Sequence, residues 1–112
     1  MEYRQITDDY SVSGQITPEE VAAIKAAGFK SVICNRPDDE QPGQPSAASV
    51  KAAADAAGLA FRHIPVISGQ MTIDNVTDMA GALEEMEGPV FAYCRSGTRC
   101  TNLYMAIQQS KG

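Results

Sequence analysis

A cysteine followed by two arginines and a glycine stands near the end of this chain. Cys94 closes an apolar run typical of a buried strand, Val90 to Tyr93, and is followed by Arg95, Ser96, Gly97, Thr98 and Arg99. A helix-like segment, 98–109, begins there. At a strand-to-helix turn, unpaired backbone N–H groups and the positive end of the helix dipole favour a thiolate over a thiol and bind anions. The pattern predicts nucleophilic attack by Cys94 on an anionic or sulfur-containing substrate.

The spacing between Cys94 and Arg99 indicates which class of substrate the loop could bind. Cysteine-dependent phosphatases place five residues between the cysteine and the arginine that grips two phosphate oxygens, whereas here four intervene and Cys100 takes the arginine's place. A loop one residue shorter encloses a smaller object. The run Cys-Arg-Ser-Gly-Thr-Arg resembles the active loop of rhodanese-type sulfurtransferases, which surrounds a cysteine persulfide. The competing interpretation is an ordinary buried cysteine.

The bulk composition sets limits on the class of protein. A chain of 112 residues with 44% hydrophobic and 21% charged residues predicts one globular domain, 1–112. No apolar run is long enough to span a membrane, and the N-terminus lacks a signal core, so we expect a cytoplasmic protein. Three cysteines do not make a disulfide framework. A net charge of −5 argues against nucleic acid as a partner.

Strand and helix signals alternate along the chain. Strands are predicted at 10–13 (with 1–6 as a partner), 31–35, 59–66 and 90–93, and helices after Thr17, after Ser46, after Thr72 or Asp74, and from Thr98. Gly28 and Gly58 are predicted to end the first two helices, and Gly88-Pro89 ends the third. This alternation predicts an α/β fold, with a mostly parallel sheet and helices on both faces.

In such a sheet, ligands bind beyond the carboxyl ends of the strands. Residues 35–37, residues 66–68 and the Cys94 loop should therefore converge there. Arg36 is a candidate anion contact that acts indirectly, from behind the residues that touch the anion, or else a solvated loop arginine. The nearby acidic residues are interpreted as a solvated loop: Asp38, Asp39 and Glu40.

A set of short motifs in order resembles one known bacterial family. They are Ser11–Gln15, Ala27–Lys30, Asn35–Asp38, Gln44–Ser46, Gly58-Leu59, His63–Val66, Gly88–Val90 and Cys94–Arg99. Together they resemble the beta-lactamase-hydrolase-like, phosphatase-like domain family, also called DUF442. The resemblance implies a three-layer αβα dual-specificity-phosphatase-like fold, with Cys94 as nucleophile and residues 95–99 as the anion cradle. It also implies an occurrence alone, beside a rhodanese domain, or fused to a persulfide dioxygenase. Cys100 departs from the family, which often has a small hydroxyl residue there.

The leaving group separates two enzymatic interpretations. A phosphatase needs a general acid, usually an aspartate after the His63–Val66 strand, but residues 67–71 contain no acid and Asp74 is the first. Asp74 also suits a helix start. A thiol leaving group needs no such acid. We therefore expect a sulfurtransferase, without a cofactor, that passes sulfur from thiosulfate or glutathione persulfide to a thiol or cyanide through a Cys94 persulfide.

Two alternatives remain. One is a phosphatase that forms a phosphocysteine at Cys94, with Asp74 as the candidate acid. The other is a module without turnover, in which Cys94 only carries a persulfide or a disulfide. Turnover on thiosulfate or on a phosphate ester separates these classes.

Three other residues of reactive types need an interpretation. His63, the only histidine, is interpreted as a packed or capping residue rather than a base, and with no Cys-x-x-Cys pair we expect no metal site. Cys34 ends the strand expected beside the catalytic one, and Cys100 begins the helix after the loop. Either could be a resolving thiol for Cys94, or a small core residue.

The sequence makes one direct prediction about Cys94. The variant Cys94→Ser should lose activity of every kind, because an alcohol does not become a nucleophilic anion at neutral pH. Steady-state assays on phosphate esters and on sulfane-sulfur donors measure this. A variant that keeps most of its turnover would remove Cys94 from the mechanism.

Overall fold

The computed structural model describes residues 1–111, in which strands and helices alternate. A short 3-10 turn, Pro18–Glu20, leads into the first helix. The elements in chain order are β1 (Arg4–Thr7), β2 (Tyr10–Ser13), α1 (Val21–Ala26), β3 (Ser31–Cys34), α2 (Ala47–Ala57), β4 (Ala60–His63), α3 (Ile73–Glu85), β5 (Val90–Tyr93) and α4 (Thr98–Lys111). No helix in residues 1–111 combines the length and the apolar character needed to cross a membrane.

The five strands form one mostly parallel sheet, as the sequence predicts. Their order is β1-β2-β5-β3-β4. Only the β1–β2 pair is antiparallel, and the β2–β5, β5–β3 and β3–β4 pairs are parallel. Strand β5 therefore lies in the middle, and its four residues are all buried. A strand covered on both faces reads as a continuous apolar run, which explains the sequence of β5.

Side chains that alternate along β5 divide the core into two parts. Val90, Ala92 and Cys94 point to the face covered by α3 and α4, where they pack with Met79 and Leu103. Phe91 and Tyr93 point to the other face, where α1 and α2 contribute Val21, Ile24, Val50 and Ala54. This alternation is the period-two geometry of a strand. The result is three layers, helix, sheet and helix, and it confirms the predicted αβα fold.

The helices begin at the capping residues that the sequence indicates. The Glu20 carboxylate accepts from the Thr17 N–H at 2.9 Å. The Ser46 hydroxyl accepts from the Ser49 N–H at 3.1 Å, and the Thr72 hydroxyl accepts from the Asn75 N–H at 3.1 Å. Thr72 rather than Asp74 is thus the cap of α3. Each cap satisfies a backbone N–H that has no partner inside its helix.

The strand predicted at 59–66 is shorter in the structure, where it is β4. Strand β4 ends at His63, but the chain keeps running beside β3. The Ile64 N–H donates to the Cys34 carbonyl at 2.8 Å, and the Val66 N–H donates to the Asn35 carbonyl at 3.0 Å. These bonds hold Val66 at the carboxyl edge of the sheet, next to the loop that follows β5.

Two glycines give a matched test of the backbone. Gly81 lies inside α3 with open space where a Cβ would be, so Gly81→Ala should stabilise the protein by about 0.5–1 kcal/mol. Gly58 follows α2 with φ +79°, so Gly58→Ala should destabilise it by about 1–2 kcal/mol. Urea denaturation measures both free energies of unfolding. A stabilising Gly58→Ala would show that the left-handed conformation is not required there.

Candidate active site

The Cys94 sulfur lies inside a tight backbone turn at the end of β5. The Cys94 N–H donates to the Ser13 carbonyl at 3.2 Å, which ties the start of the loop to β2. The Gly97 N–H donates to the Cys94 Sγ at 3.1 Å. Gly97 has φ +89°, a conformation that favours glycine. The loop therefore folds back over the sulfur, and Cys94 is fully buried.

Hydrogen bonds to the sulfur make Cys94 acidic. Its pKa is lowered to about 5, chiefly by a hydrogen bond from the Cys100 thiol, with the backbone N–H groups of Cys100, Ser96 and Arg99 acting in the same direction. Burial opposes this shift, because it disfavours the charged form. The donors prevail, so Cys94 is a thiolate at neutral pH. A buried anion with this many donors is a preformed nucleophile.

The Cys100 thiol is the partner of this thiolate. Burial raises the pKa of Cys100 well above its usual value, and the hydrogen bond to Cys94 raises it further. The Cys100 thiol therefore stays protonated and is the hydrogen-bond donor of the pair. Its backbone is fixed by the Tyr10 hydroxyl, which donates to the Cys100 carbonyl at 2.8 Å.

Arg99 is held by three hydrogen bonds that leave one edge of its guanidinium open. Its Nη1 and Nη2 donate to the two oxygens of Glu40 at 2.7 and 2.9 Å, and Nη1 also donates to the Val66 carbonyl at 2.8 Å. A guanidinium has five N–H groups. The remaining two, on Nε and Nη2, take no partner among residues 1–111 and lie on the same edge. That edge is a fork for two oxygens of an oxyanion.

Glu40 links two buried arginines, although residues 38–42, the loop in which it lies, are exposed as the sequence predicts. One oxygen, Oε1, also accepts from the Arg36 Nε at 2.8 Å. Hydrogen bonds from Arg99 and Arg36 outweigh partial burial and lower the pKa of Glu40 to about 2. Glu40 is therefore ionised at every pH at which the protein would be assayed.

The structure places the Arg36 guanidinium inside this network. Arg36 is 2% exposed, and it also donates from Nη1 to Gln15 at 3.0 Å and from Nη2 to Gln41 at 2.9 Å. The side chain is neither solvated nor a lining residue of the cleft described below. Arg36 holds Glu40, and through Glu40 it holds Arg99.

An open cleft of about 590 Å³ lies beside the loop, at the carboxyl edge of the sheet. Ser68 and the Cys94 loop line it, whereas residues 35–37 lie behind it, where Arg36 donates to the lining residue Glu40. Arg95 and Thr98 are exposed, and the Ser96 hydroxyl donates to the Thr98 hydroxyl at 3.0 Å. The lining residues are Glu40, Ser68, Gly69, Arg95, Ser96, Thr98, Arg99 and Asn102.

Other candidates from the sequence lie elsewhere. Asp74 is exposed in the first turn of α3 and does not line the cleft, so its role as an acid stays a prediction. Cys34 packs on the face of the sheet opposite Cys94. His63 is exposed, so it is not packed in the core as interpreted, and its Nε2 lies 2.9 Å from the Arg36 carbonyl. Within residues 1–111, no group of three or more His, Cys, Asp or Glu side chains could hold a metal ion.

Two parts of the site were missed by the sequence analysis, Glu40 and the Val66 carbonyl. Glu40 follows Arg36 by four residues, but in a loop this spacing does not imply an ion pair. The distance of 59 residues between Glu40 and Arg99 is closed only by the tertiary fold. A backbone carbonyl carries no signal in a sequence.

Comparison with known proteins now identifies the family. The profile of the family described as "Beta-lactamase hydrolase-like protein, phosphatase-like domain" matches residues 2–111. The chain belongs to this family. The family confirms the resemblance seen in the sequence motifs, and its phosphatase-like character agrees with a cysteine and an arginine at the ends of one loop.

Individual relatives support the same assignment. A beta-lactamase hydrolase-like protein of Agrobacterium fabrum is 40% identical over 101 residues, which are 90% of this chain but 23% of that protein. The chain thus spans about a quarter of that curated relative. A crystal structure of a candidate phosphatase from Neisseria meningitidis has a TM-score of 0.89 at 34% identity, over 97% of this chain and 78% of that one.

A more distant structure agrees in fold. The core catalytic domain of the PP-IP phosphatase SIW14 from S. cerevisiae has a TM-score of 0.73 at 12% identity, over 96% of this chain and 64% of that one. At this identity the likeness concerns the fold alone. The fold of this domain is therefore a phosphatase-like fold.

The pKa of Cys94 gives a direct prediction. Because it lies near 5, the rate of Cys94 alkylation by iodoacetamide should stay level from neutral pH downward and fall to half near pH 5. In Cys100→Ala the midpoint should move to higher pH, because the main donor is lost. Peptide mass mapping at each pH isolates the Cys94 signal.

Cys34→Ala is the matched control, because Cys34 packs on the other face of the sheet. Its midpoint should equal that of the wild type. An unchanged midpoint in Cys100→Ala would show that backbone N–H groups alone make Cys94 acidic.

Proposed function

We propose that this domain is a cysteine-dependent phosphatase-type hydrolase that cleaves phosphate monoesters through a phosphocysteine at Cys94. The observation that carries the proposal is the Cys94 thiolate, with the open edge of Arg99 at the other end of the same loop. The phosphatase-like family and fold support it. The sequence alone ranks sulfur transfer first, and the relatives reverse that order.

The proposed reaction has two steps. The phosphoryl oxygens bind the loop N–H groups and the Nε and Nη2 edge of Arg99, and the Cys94 sulfur attacks phosphorus from the opposite side to the ester oxygen. The S–P bond forms, the P–O ester bond breaks, and the ester oxygen leaves with its electron pair as an alkoxide or phenolate, which solvent protonates. Water then attacks phosphorus, the S–P bond breaks, the thiolate returns with its electron pair, and inorganic phosphate leaves, with the proton of the water released to solvent.

The leaving group decides which esters react fast. Glu40 is the one carboxylate among the residues that line the cleft, and its pKa of about 2 leaves it without a proton to donate. Ser68 and Asn102 are not acids at neutral pH. The proposal therefore favours aryl phosphates, whose phenolate leaves without protonation, over alkyl phosphates. If Asp74 serves as the acid, this difference shrinks.

Sulfur transfer is the second candidate, and the four-residue spacing between Cys94 and Arg99 favours it. Here the Cys94 thiolate attacks the sulfane sulfur of thiosulfate, the S–S bond breaks, and sulfite leaves with its electron pair. A thiol or cyanide then takes the outer sulfur from the Cys94 persulfide. Neither step needs a general acid, which agrees with the lining of the cleft.

Steady-state assays separate the two candidates. We expect the wild-type protein to hydrolyse aryl phosphates faster than it transfers sulfur from thiosulfate or glutathione persulfide. Aryl phosphates with more acidic phenols should react faster, because no proton is supplied to the leaving oxygen. Cys94→Ser is the blank for both assays. A clear preference for the sulfur donors would replace the phosphatase proposal with sulfur transfer, and no turnover on either would leave a carrier module.

The two loop arginines give a paired prediction. Arg99→Ala should lower kcat/KM about ten- to a hundredfold, since a charge-assisted hydrogen bond contributes roughly 1.5–3 kcal/mol. Arg95→Ala should have a smaller effect, because Arg95 is an exposed residue at the cleft wall. Equal small losses in both variants would show that backbone N–H groups hold the anion without Arg99.

A further inference from the structure

Cys100 is a thiol of this site that forms and breaks no bond in the proposed hydrolysis. Its side chain lies in the same buried cluster as the Cys94 sulfur, under α3 and α4, and of all side chains it contributes most to the lowered pKa of Cys94. Both residues are fully shielded from solvent. The two sulfurs are thus neighbours in a site that excludes bulk water, and one is a thiolate while the other keeps its proton.

The backbone between the two cysteines is built to bring them together. Gly97, with φ +89°, turns the chain back at the middle of the loop, and α4 starts one residue later. The Thr101 N–H donates to the Gly97 carbonyl at 3.0 Å, so Cys100 lies in the first turn of α4, directly after the loop that begins at Cys94. The Tyr10 hydroxyl fixes the Cys100 carbonyl from below.

Cys34 does not share this position, although it ends the strand next to β5. In the register of β3 and β5, Cys34 pairs with Tyr93, and both side chains point to the face covered by α1 and α2. Cys94 points to the opposite face. A bond between Cys34 and Cys94 would have to pass through the sheet, so Cys100 is the thiol that can reach Cys94.

We propose that Cys94 and Cys100 form a reversible disulfide when a hydroperoxide oxidises Cys94. In the first step the Cys94 thiolate attacks the hydroxyl oxygen of the peroxide, the O–O bond breaks, the other oxygen leaves with the electron pair as hydroxide or alkoxide, and Cys94 becomes a sulfenic acid. In the second step the Cys100 sulfur attacks the Cys94 sulfur, the S–O bond breaks, and the hydroxyl leaves as water with the Cys100 proton. The peroxide is reduced, and the two thiols are oxidised to one disulfide. A small-molecule dithiol reverses the bond.

Burial does not oppose the outcome of the second step. A neutral sulfenic acid and a neutral thiol give a neutral disulfide and water, so no new charge has to be stabilised away from solvent. The disulfide removes the nucleophile, and it also consumes the sulfenic acid from which sulfinic acid would form. The open cleft brings a molecule as small as hydrogen peroxide to Arg95, Ser96 and Arg99, which belong to the loop around the buried Cys94. The proposal holds whichever substrate the site takes.

Peptide mapping tests the proposal on the wild-type protein, because trypsin separates the three cysteines. Cleavage after Arg62, Arg95 and Arg99 gives peptides 63–95 with Cys94 and 100–111 with Cys100, while Cys34 lies in peptide 31–51, since Pro37 blocks cleavage after Arg36. The folded protein is treated with hydrogen peroxide, free thiols are blocked with iodoacetamide, and the digest is analysed without reduction.

We expect peptide 63–95 linked to peptide 100–111, at the mass of their sum less two hydrogens, and loss of this species after treatment with dithiothreitol. In Cys100→Ser the linked species should disappear, and Cys94 should accumulate as sulfinic acid. Cys34→Ser is the matched control and should form the link as the wild type does. The mapping of the wild-type protein decides the matter even if Cys100→Ser folds poorly.

Two results overturn the proposal. One is Cys94 found in the wild type as sulfinic or sulfonic acid while Cys100 is alkylated by iodoacetamide. The other is a link from peptide 63–95 to peptide 31–51. Both readouts are masses, so they do not depend on whether the protein turns over a phosphate ester or a sulfur donor.

Discussion

The buried negative charge on Cys94 is the constraint on which the site depends. An anion removed from water is stable only if donors replace its hydration, and here the donors are the Cys100 thiol and the backbone N–H groups of the loop and of the first turn of α4. These donors exist because β5 lies in the middle of the sheet and delivers the chain directly into a helix. Gly97 permits the turn. The Cys94 loop, the start of α4 and strand β5 together form the surroundings of the Cys94 sulfur.

A second balance of charge sets the affinity of the site for anions. Arg36 and Arg99 are both buried, and Glu40 accepts hydrogen bonds from both, so the three side chains carry one net positive charge. Glu40 takes one edge of the Arg99 guanidinium and the Val66 carbonyl takes another N–H. These contacts fix the orientation of the Arg99 guanidinium, and with it the direction of the open Nε and Nη2 edge. Arg36, Glu40 and Val66 thus position Arg99 without a place of their own in the reaction.

Local signals in the sequence were sufficient for the fold and for the reactive loop. The caps at Thr17, Ser46 and Thr72 and the stop at Gly58 mark helix ends, because each satisfies a requirement of the backbone that few residue types meet. The apolar run of β5 followed by Cys94 marks a central strand and its turn. These features depend on neighbours in the chain, so a sequence displays them.

Features that depend on distant contacts were not predictable in the same way. Glu40 looked like part of an acidic loop until the fold placed it against Arg99, and Cys34 looked equivalent to Cys100 until the register of β3 turned it to the other face. From the sequence, Arg36 is either an indirect anion contact or a solvated residue. The structure buries it against Glu40, which excludes the solvated alternative, and its action on an anion through Arg99 stays a prediction. A one-residue change in strand register would have reversed the position of Cys34.

The group that becomes attached to Cys94 during turnover decides between phosphate-ester hydrolysis and sulfur transfer. The most direct measurement is to mix the wild-type protein with an aryl phosphate, quench it in acid, and map the digest by mass spectrometry. The account predicts peptide 63–95 with one added HPO3 group on Cys94, and no such adduct in Cys94→Ser. Phosphate release without any adduct on Cys94, or the adduct on another residue, would contradict it.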